Sequence, residues 1–174
     1  MNYIKITRND IANGPGVRVT LWVSGCSLHC KGCHNPQTWD FNAGKLFDES
    51  AKQELFEALN KPYIQGITFS GGHPIERKNG CDIFGLIKEI KTKFPDKDIW
   101  LYTGLRLSMD DFKPKCLDII ISDEIFKMCD VVVDGPYIEE QRDITLPFRG
   151  SKNQRLIDVK ATLKQGQIIQ YKIN

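Results

Sequence analysis

The sequence predicts an α/β domain built on a mainly parallel sheet, and three observations lead to this fold class. Short apolar runs rich in β-branched and aromatic residues alternate with segments of helical periodicity along the 174 residues. Most of the predicted strands run into a turn that contains glycine or proline. A chain of this length with 41% hydrophobic residues can bury one core, so residues 1–174 are expected to form a single domain.

The N-terminal half contains two predicted strands and one predicted helix. The run VRVTLWVS (17–24) follows a Gly-Pro-Gly turn and predicts the first strand. Residues 25–46 are rich in turn-forming residues and predict a long loop, and loops of this length are usually functional. Apolar residues at helical spacing predict a helix over 50–59, and GITFS (66–70) predicts the next strand.

The C-terminal half continues this alternation. The segment 116–128 fits a helix or a strand, and a helix is favoured. Strands separated by helices imply βαβ units, in which neighbouring strands run parallel. The other predicted elements are a helix over 81–93, strands at DIWLY (98–102) and DVVVD (130–134), and two short late strands at 155–159 and 167–173.

Four of the predicted strands end in chemically suggestive turns. A cysteine-rich loop follows the first strand, and Gly71-Gly72, Thr103-Gly104 and Asp134 stand at the ends of the other three. Ligands of open α/β sheets gather at the carboxyl ends of the strands. The sequence therefore predicts one shared site at this edge of the sheet.

The charge balance does not favour a polyanionic partner. Lys and Arg total 24 against 22 for Asp and Glu, and a net charge of +2 is too small to indicate nucleic acid or a membrane surface. The sequence has no run of 18 apolar residues, and its first ten residues, MNYIKITRND, contain no apolar signal core. These features predict a soluble, cytoplasmic protein.

The cysteine-rich loop reads SGCSLHCKGCHNPQTW, with Cys26, Cys30 and Cys33 at C-x3-C-x2-C spacing. Three thiolates on a short loop can each bind one iron of a [4Fe–4S] cluster, and a cluster that only carries electrons normally has a fourth. No fourth cysteine is near in the sequence, so one iron would stay open for a substrate or cofactor. This asymmetry favours catalysis over simple electron transfer.

A closed zinc site is the alternative, with His29 or His34 as fourth ligand. Each histidine is directly adjacent to a cysteine, and adjacent side chains rarely chelate one small ion, so the cluster is favoured. The remaining cysteines, Cys81, Cys116 and Cys129, lie beside apolar residues and are predicted to be small buried hydrophobic residues.

Two further turns are candidates for binding. The glycines Gly71 and Gly72 let a ligand approach the backbone, whose free groups could hold an amine or a carboxylate. Asp134 follows three valines, and a buried acid needs a partner, which is either a ligand or the hydrogen bonds of its own turn. Arg149 could bind a carboxylate, although the composition of its segment is also that of a solvated turn.

The cysteine loop resembles the signature of radical S-adenosylmethionine (SAM) enzymes. More narrowly, the chain resembles the activating enzymes of anaerobic ribonucleoside-triphosphate reductases. The similar stretches span most of the chain in the expected order. They are NGPGVRVTLWVSGC (13–26), C-x-GCHNPQTW (30–39), SGGHP (70–74), KDIWLYTG (97–104), VDGPY (133–137) and RGSKNQR (149–155).

The resemblance implies a partial, open (βα) barrel and a defined chemistry. In such activases SAM binds the open iron, and a flavodoxin-like donor reduces the cluster. Cleavage of SAM gives a 5′-deoxyadenosyl radical, which takes a hydrogen from a glycine of the large catalytic subunit of the reductase. Since the cofactors break the bonds, the resemblance implies no catalytic side chain.

Residue roles are also implied by the resemblance. Cys26, Cys30 and Cys33 match the cluster ligands. Gly32, Cys33 and His34 match the stretch that lines SAM near the cluster, where relatives often have tyrosine in place of the histidine.

On the next strand ends, Gly71 and Gly72 match glycines that face the methionine amine of SAM. Relatives commonly carry an acid where this chain has His73. Asp134 matches an acidic strand end near the methionine moiety, and Arg149 matches a segment that supports the site or the contact with the reductase.

Two other functions stay open at this point. One is an activase of another glycyl-radical enzyme such as pyruvate formate-lyase. The short chain and the RGSKNQR segment favour the reductase activase over this alternative. The other is a zinc-binding module without catalysis. Because a chain of this size cannot cover its own radical site well, a large partner protein is expected.

Overall fold

The computed structural model describes residues 1–112 and 120–173. Seven strands of these residues form one sheet in the order β3-β1-β2-β4-β5-β6-β7. Its strands are β1 (Asn2–Asp10), β2 (Val17–Val23), β3 (Lys45–Leu46), β4 (Ile64–Gly71), β5 (Asp98–Tyr102), β6 (Val131–Asp134) and β7 (Arg155–Asp158). The helices are α1 (Glu49–Leu59), α2 (Gly80–Lys93), α3 (Ile120–Met128) and α4 (Val159–Gln165).

The four central strands β2, β4, β5 and β6 run parallel. The flanking pairs β1–β2, β1–β3 and β6–β7 are antiparallel. The predicted α/β class is confirmed, and the predicted parallel pairing is confirmed for the centre of the sheet. The sheet is open rather than a closed barrel, because β3 and β7 are its two edges.

The two faces of the sheet are covered differently, because side chains alternate along a strand. Ile99 and Leu101 of β5 lie in the main core with the apolar faces of α1 and α2. Trp100 between them lies in a smaller cluster on the other face. On that face the fully buried guanidinium of Arg18 pairs with Asp98 and lies 5.4 Å from the centre of the Trp100 ring.

Most predicted elements agree with the structure, and the differences are the following. Strand β1 was not predicted, and the two-residue strand β3 lies in the segment 25–46 that was predicted to be a loop. Residues 159–165 form helix α4, which Asp158 begins by accepting a hydrogen bond from the Ala161 amide at 2.8 Å. Because this helix follows β7 directly, the predicted strand over 167–173 is reduced to one bridge between Ile157 and Gln170.

Helix α3 agrees with the favoured helix at 116–128 over its described part, and the rest of that prediction lies outside the described residues. Cys129 is buried as predicted, and Cys116 is outside the described residues. Cys81 is exposed, so its prediction was wrong. It stands two residues before the buried Ile83 on α2, and such residues point to opposite sides of a helix.

Of the helices in the described part of the chain, none is long and apolar enough to cross a membrane.

Candidate functional site

A groove of about 560 Å³ opens where the four parallel strands end. All three cysteines of the loop line it, together with the turns that follow β4 and β5. The structure therefore brings most of the predicted strand-end features into one site. The residues of the predicted site that line the groove are Cys26, Cys30, Cys33, His34, Gly71 and Gly72, with His73, Thr103, Gly104 and Arg149 beside them.

The cysteine loop is held by its own backbone. The Cys33 amide donates to the Cys30 carbonyl at 3.1 Å, and the Asn35 amide donates to Cys33 Sγ at 3.4 Å. The three thiols are partly buried and form no disulfide. Burial raises the pKa of the Cys26 thiol against opposing backbone hydrogen bonds, so iron binding at this residue must release a proton.

Hydrogen bonds join the start of the cysteine-rich loop to residues that follow its last cysteine. The Gly25 amide donates to the Thr38 carbonyl at 2.7 Å, and the Cys26 amide donates to the Trp39 carbonyl at 3.1 Å. The ring of His29 stacks on Trp39, with 4.6 Å between the ring centres. His29 is thereby placed as a packing residue of the loop.

The donor set fits an iron–sulfur cluster. Among the residues that the structure describes, no three His, Cys, Asp or Glu side chains are grouped so that they could hold one metal ion. In a [4Fe–4S] cluster each thiolate binds a different iron, so three thiols that line one groove suit it.

Gly32 and His34 face a segment that sequence analysis did not single out. Tyr137 donates a hydrogen bond to Glu139 Oε2 at 2.7 Å, and its ring lies 4.9 Å from that of His34. A Cβ on Gly32, whose φ is +73°, would lie 1.9 Å from Glu139 Oε2. The positive φ favours glycine at this position, although the flexible Glu139 side chain could move aside, and both His34 and Tyr137 line the groove.

The Gly71–Gly72 turn contacts the start of the cysteine loop. The Gly72 amide donates to the Val23 carbonyl and the His73 amide to the Gly25 carbonyl, both at 2.8 Å. These two amides are therefore engaged by the protein, in contrast to the free groups expected from the sequence. An amine of a ligand could be bound here through carbonyl oxygens.

Asp134 lies beneath the groove rather than in it. Its side chain is completely buried and accepts hydrogen bonds from Arg155 Nε at 3.0 Å and from the Leu107 amide at 2.9 Å. The Arg106 guanidinium is 3.7 Å away. The carboxylate thus has partners within the protein, and its predicted contact with the methionine moiety stays a prediction.

We expect Asp134→Ala to lower the free energy of unfolding by about 3–5 kcal/mol, because it leaves the mostly buried Arg155 without its partner. Denaturant unfolding measures this effect. The matched control is Asp96→Ala at an exposed position, expected to change stability by less than about 0.5 kcal/mol. Unchanged stability of Asp134→Ala with weakened SAM binding would instead assign the carboxylate to the ligand.

Comparison with known proteins agrees with this site. Residues 12–157 match the family model of a 4Fe-4S single cluster domain. Three similar proteins are each named anaerobic ribonucleoside-triphosphate reductase-activating protein. The one from Haemophilus influenzae is 40% identical over 156 residues, which cover 88% of this chain and 96% of the relative.

The relative from Enterobacteria phage T4 is 42% identical over 156 residues, covering 90% of this chain and 93% of the relative. That from Escherichia coli K12 is 38% identical over 156 residues, covering 88% and 96%. The residues that the family model matches include the cysteine loop and all the strand ends of the groove. The chain therefore belongs to the family of anaerobic ribonucleoside-triphosphate reductase-activating proteins.

Proposed function

We propose that this chain is a radical SAM activase that generates a glycyl radical on the catalytic subunit of an anaerobic ribonucleoside-triphosphate reductase. The observation that carries the proposal is the groove in which Cys26, Cys30 and Cys33 meet the turns after β4 and β5. The 4Fe-4S family match and the printed names of the relatives support it. The same proposal includes a flavodoxin-like electron donor and a cytoplasmic setting.

We also propose that the sheet and its helices form the partial, open (βα) barrel of radical SAM enzymes, with residues 1–174 as one domain. Four parallel strands that deliver their carboxyl ends to the three thiols support this assignment. The apolar sides of the helices pack in the main core on one face of the sheet. They leave the groove at the strand ends open to ligands.

The side chains of the groove bind and orient. Cys26, Cys30 and Cys33 hold the cluster, which when reduced supplies the electron that cleaves SAM to methionine and a 5′-deoxyadenosyl radical. The rings of His34 and Tyr137 are placed to contact a flat group such as adenine. The carbonyl oxygens of the Gly71–Gly72 turn are acceptors that suit the SAM amine.

Exposed apolar residues at the groove, here called the rim, support a protein partner. They are Leu28, Leu105 and Ile144, which are 37%, 42% and 83% exposed. Leu28 and Ile144 line the groove, and Leu105 adjoins Gly104, which does so too. A partner seated on this rim would exclude water from the radical and would bring its glycine to the groove.

The proposal is tested with anaerobically reconstituted protein, which is expected to bind about four irons per chain. Reduced protein and SAM should yield 5′-deoxyadenosine, and adding the reductase should produce a glycyl radical detected by electron spin resonance. Pyruvate formate-lyase is assayed in parallel. A colourless, folded protein with one zinc and no SAM cleavage would refute the proposal, and a radical on pyruvate formate-lyase alone would move it to that partner.

Ile144→Asp, at the most exposed residue of the rim, is expected to leave SAM cleavage unchanged and to reduce radical formation on the reductase about tenfold or more. A carboxylate buried without a partner in an interface costs about 1–3 kcal/mol. The control is Tyr63→Asp, because Tyr63 is 59% exposed and precedes β4 at the opposite end of the strands. Equal radical yields from the two variants would exclude the rim as the docking surface.

A further inference from the structure

Glu76, which sequence analysis did not single out, connects the cysteine loop to the end of β4. Its Oε1 accepts hydrogen bonds from the Ser27 amide at 2.8 Å and from the Ser27 hydroxyl at 2.7 Å. The same oxygen lies 3.3 Å from His73 Nδ1. The Glu76 side chain is only 14% exposed, and Ser27 directly follows Cys26.

His73 extends this connection to the end of β5. Its ring is buried, and its Nε2 lies 2.9 Å from the hydroxyl oxygen of Thr103. That oxygen also accepts a hydrogen bond from the Leu105 amide at 3.2 Å. One continuous set of hydrogen bonds therefore joins Ser27, Glu76, His73 and Thr103.

The directions of these hydrogen bonds follow from the groups at the two ends. A carboxylate can only accept, so His73 Nδ1 carries a proton and donates it to Glu76. Thr103 accepts from the Leu105 amide and can donate its own proton to His73 Nε2. With these assignments both ring nitrogens of a neutral His73 have a hydrogen-bond partner.

The ionisation of both residues agrees with this arrangement. Burial is the largest influence on His73 and lowers its pKa, although Glu76 acts in the opposite direction. Burial by itself raises the pKa of Glu76, but the hydrogen bonds from Ser27 and His73 outweigh it, so that this pKa lies below the ordinary value. A neutral histidine beside an ionised glutamate is the result.

Cys26 is held from both sides by the segment that contains these residues. Asn79 Nδ2 donates to the carbonyl of Ser24 at 2.9 Å, and Glu76 holds Ser27. Cys30 and Cys33 share a local turn, whereas Cys26 lies outside that turn. Its position relative to the other two cysteines is therefore set by its bond to Trp39 within the loop and by these contacts with another part of the chain.

We propose that Glu76 is a positioning residue for Cys26, which it places by holding Ser27 while the neutral Nδ1–H form of His73 orients its carboxylate. What Glu76 positions rests on the proposed cluster function. The hydrogen bonds themselves can be measured without cluster, SAM or reductase.

The first measurement uses the metal-free full chain under anaerobic conditions. Long-range nitrogen–proton NMR at neutral pH is expected to show His73 protonated at Nδ1 alone. Hydrogen exchange of the Ser27 amide should be about tenfold or more faster in Glu76→Ala, since a hydrogen bond to a charged acceptor is lost. A His73 ring protonated at Nε2, or at both nitrogens, would overturn the proposal.

Glu76→Gln separates hydrogen bonding from charge. Its amide oxygen can still accept from Ser27, so exchange of the Ser27 amide should stay within about threefold of the unmodified chain. The control Glu57→Ala removes an exposed glutamate of α1 and should leave the exchange rate of the Ser27 amide unchanged. Equal Ser27 exchange in Glu76→Ala and Glu57→Ala, with strand β4 still protected in both, would also overturn the proposal.

The second measurement uses the reconstituted protein and follows the loss of iron to a chelator. Glu76→Ala should lose iron about tenfold faster than the unmodified chain, which corresponds to a loss of about 1.4 kcal/mol of anchoring free energy. Glu76→Gln should lose iron at a rate close to that of the unmodified chain. If no cluster forms in any variant while the Ser27 and His73 results hold, the proposed function fails and the anchoring network stands. If iron loss is unchanged in Glu76→Ala, the positioning role is wrong.

Discussion

Alanine in place of Cys26, Cys30 or Cys33 is expected to lower bound iron from about four atoms per chain to nearly none and to abolish SAM cleavage. The three thiols line the groove, and in the proposed cluster each would bind a different iron. Losing one leaves a cluster with two protein ligands and two open irons. Iron and sulfide analysis, visible absorption and 5′-deoxyadenosine formation measure the result.

The remaining cysteines supply the controls. Cys81→Ala changes an exposed residue on α2 and should keep both cluster and activity. Cys129→Ala removes a buried thiol that donates to the Ile125 carbonyl at 3.2 Å, so it should cost about 1 kcal/mol of stability and keep the cluster. Cys116→Ala is expected to behave in the same way. If one of these variants folds but loses its cluster, that cysteine is a fourth ligand.

Gly72→Ala is expected to disrupt the contact between the cysteine loop and the end of β4. A Cβ at this position would lie 2.5 Å from the carbonyl oxygen of Gly25, and a backbone atom cannot move aside as a flexible side chain can. The turn must then move away, which weakens the hydrogen bonds from Gly72 to Val23 and from His73 to Gly25. We expect stability to fall by about 1–3 kcal/mol and SAM cleavage to be largely lost.

The matched control is Gly85→Ala in helix α2. No atom lies within 4 Å of a Cβ added there, and alanine is the better helix former. This variant should gain about 0.5–1 kcal/mol and retain activity. Denaturant unfolding and SAM cleavage are measured for both. If Gly72→Ala were as well tolerated as Gly85→Ala, the close approach seen in the structure would not be needed for function.

Local sequence patterns were sufficient to predict those strands and helices that pack against the core on one or both faces. DIWLY forms β5 over the predicted residues, and the glycine turn after GITFS ends β4 close to the predicted position. Strand β1 was missed because charged and polar residues interrupt its apolar ones. It forms because β2 and β3 pair with its two edges, which is a tertiary effect.

The same distinction holds for the site. The cysteine spacing and the turns at strand ends predicted a shared groove, since parallel strands bring their carboxyl ends to one edge. The partner of Asp134 could not be predicted in this way. Arg155 is 21 residues away in sequence and reaches the carboxylate only because β7 pairs with β6 in antiparallel register.

By itself the sequence determined which chemistry is present: three thiols on one loop, glycines where chains must approach closely, and strands that end together. The tertiary structure alone decided which polar groups are still available to a ligand. The Gly72 amide is engaged by the last residue of β2, the His73 amide is engaged by the cysteine loop, and the carboxylate of Glu76 holds that loop in place. Spacing and periodicity report local geometry, whereas hydrogen-bond partners distant in sequence are chosen only when the strands pair and the core closes.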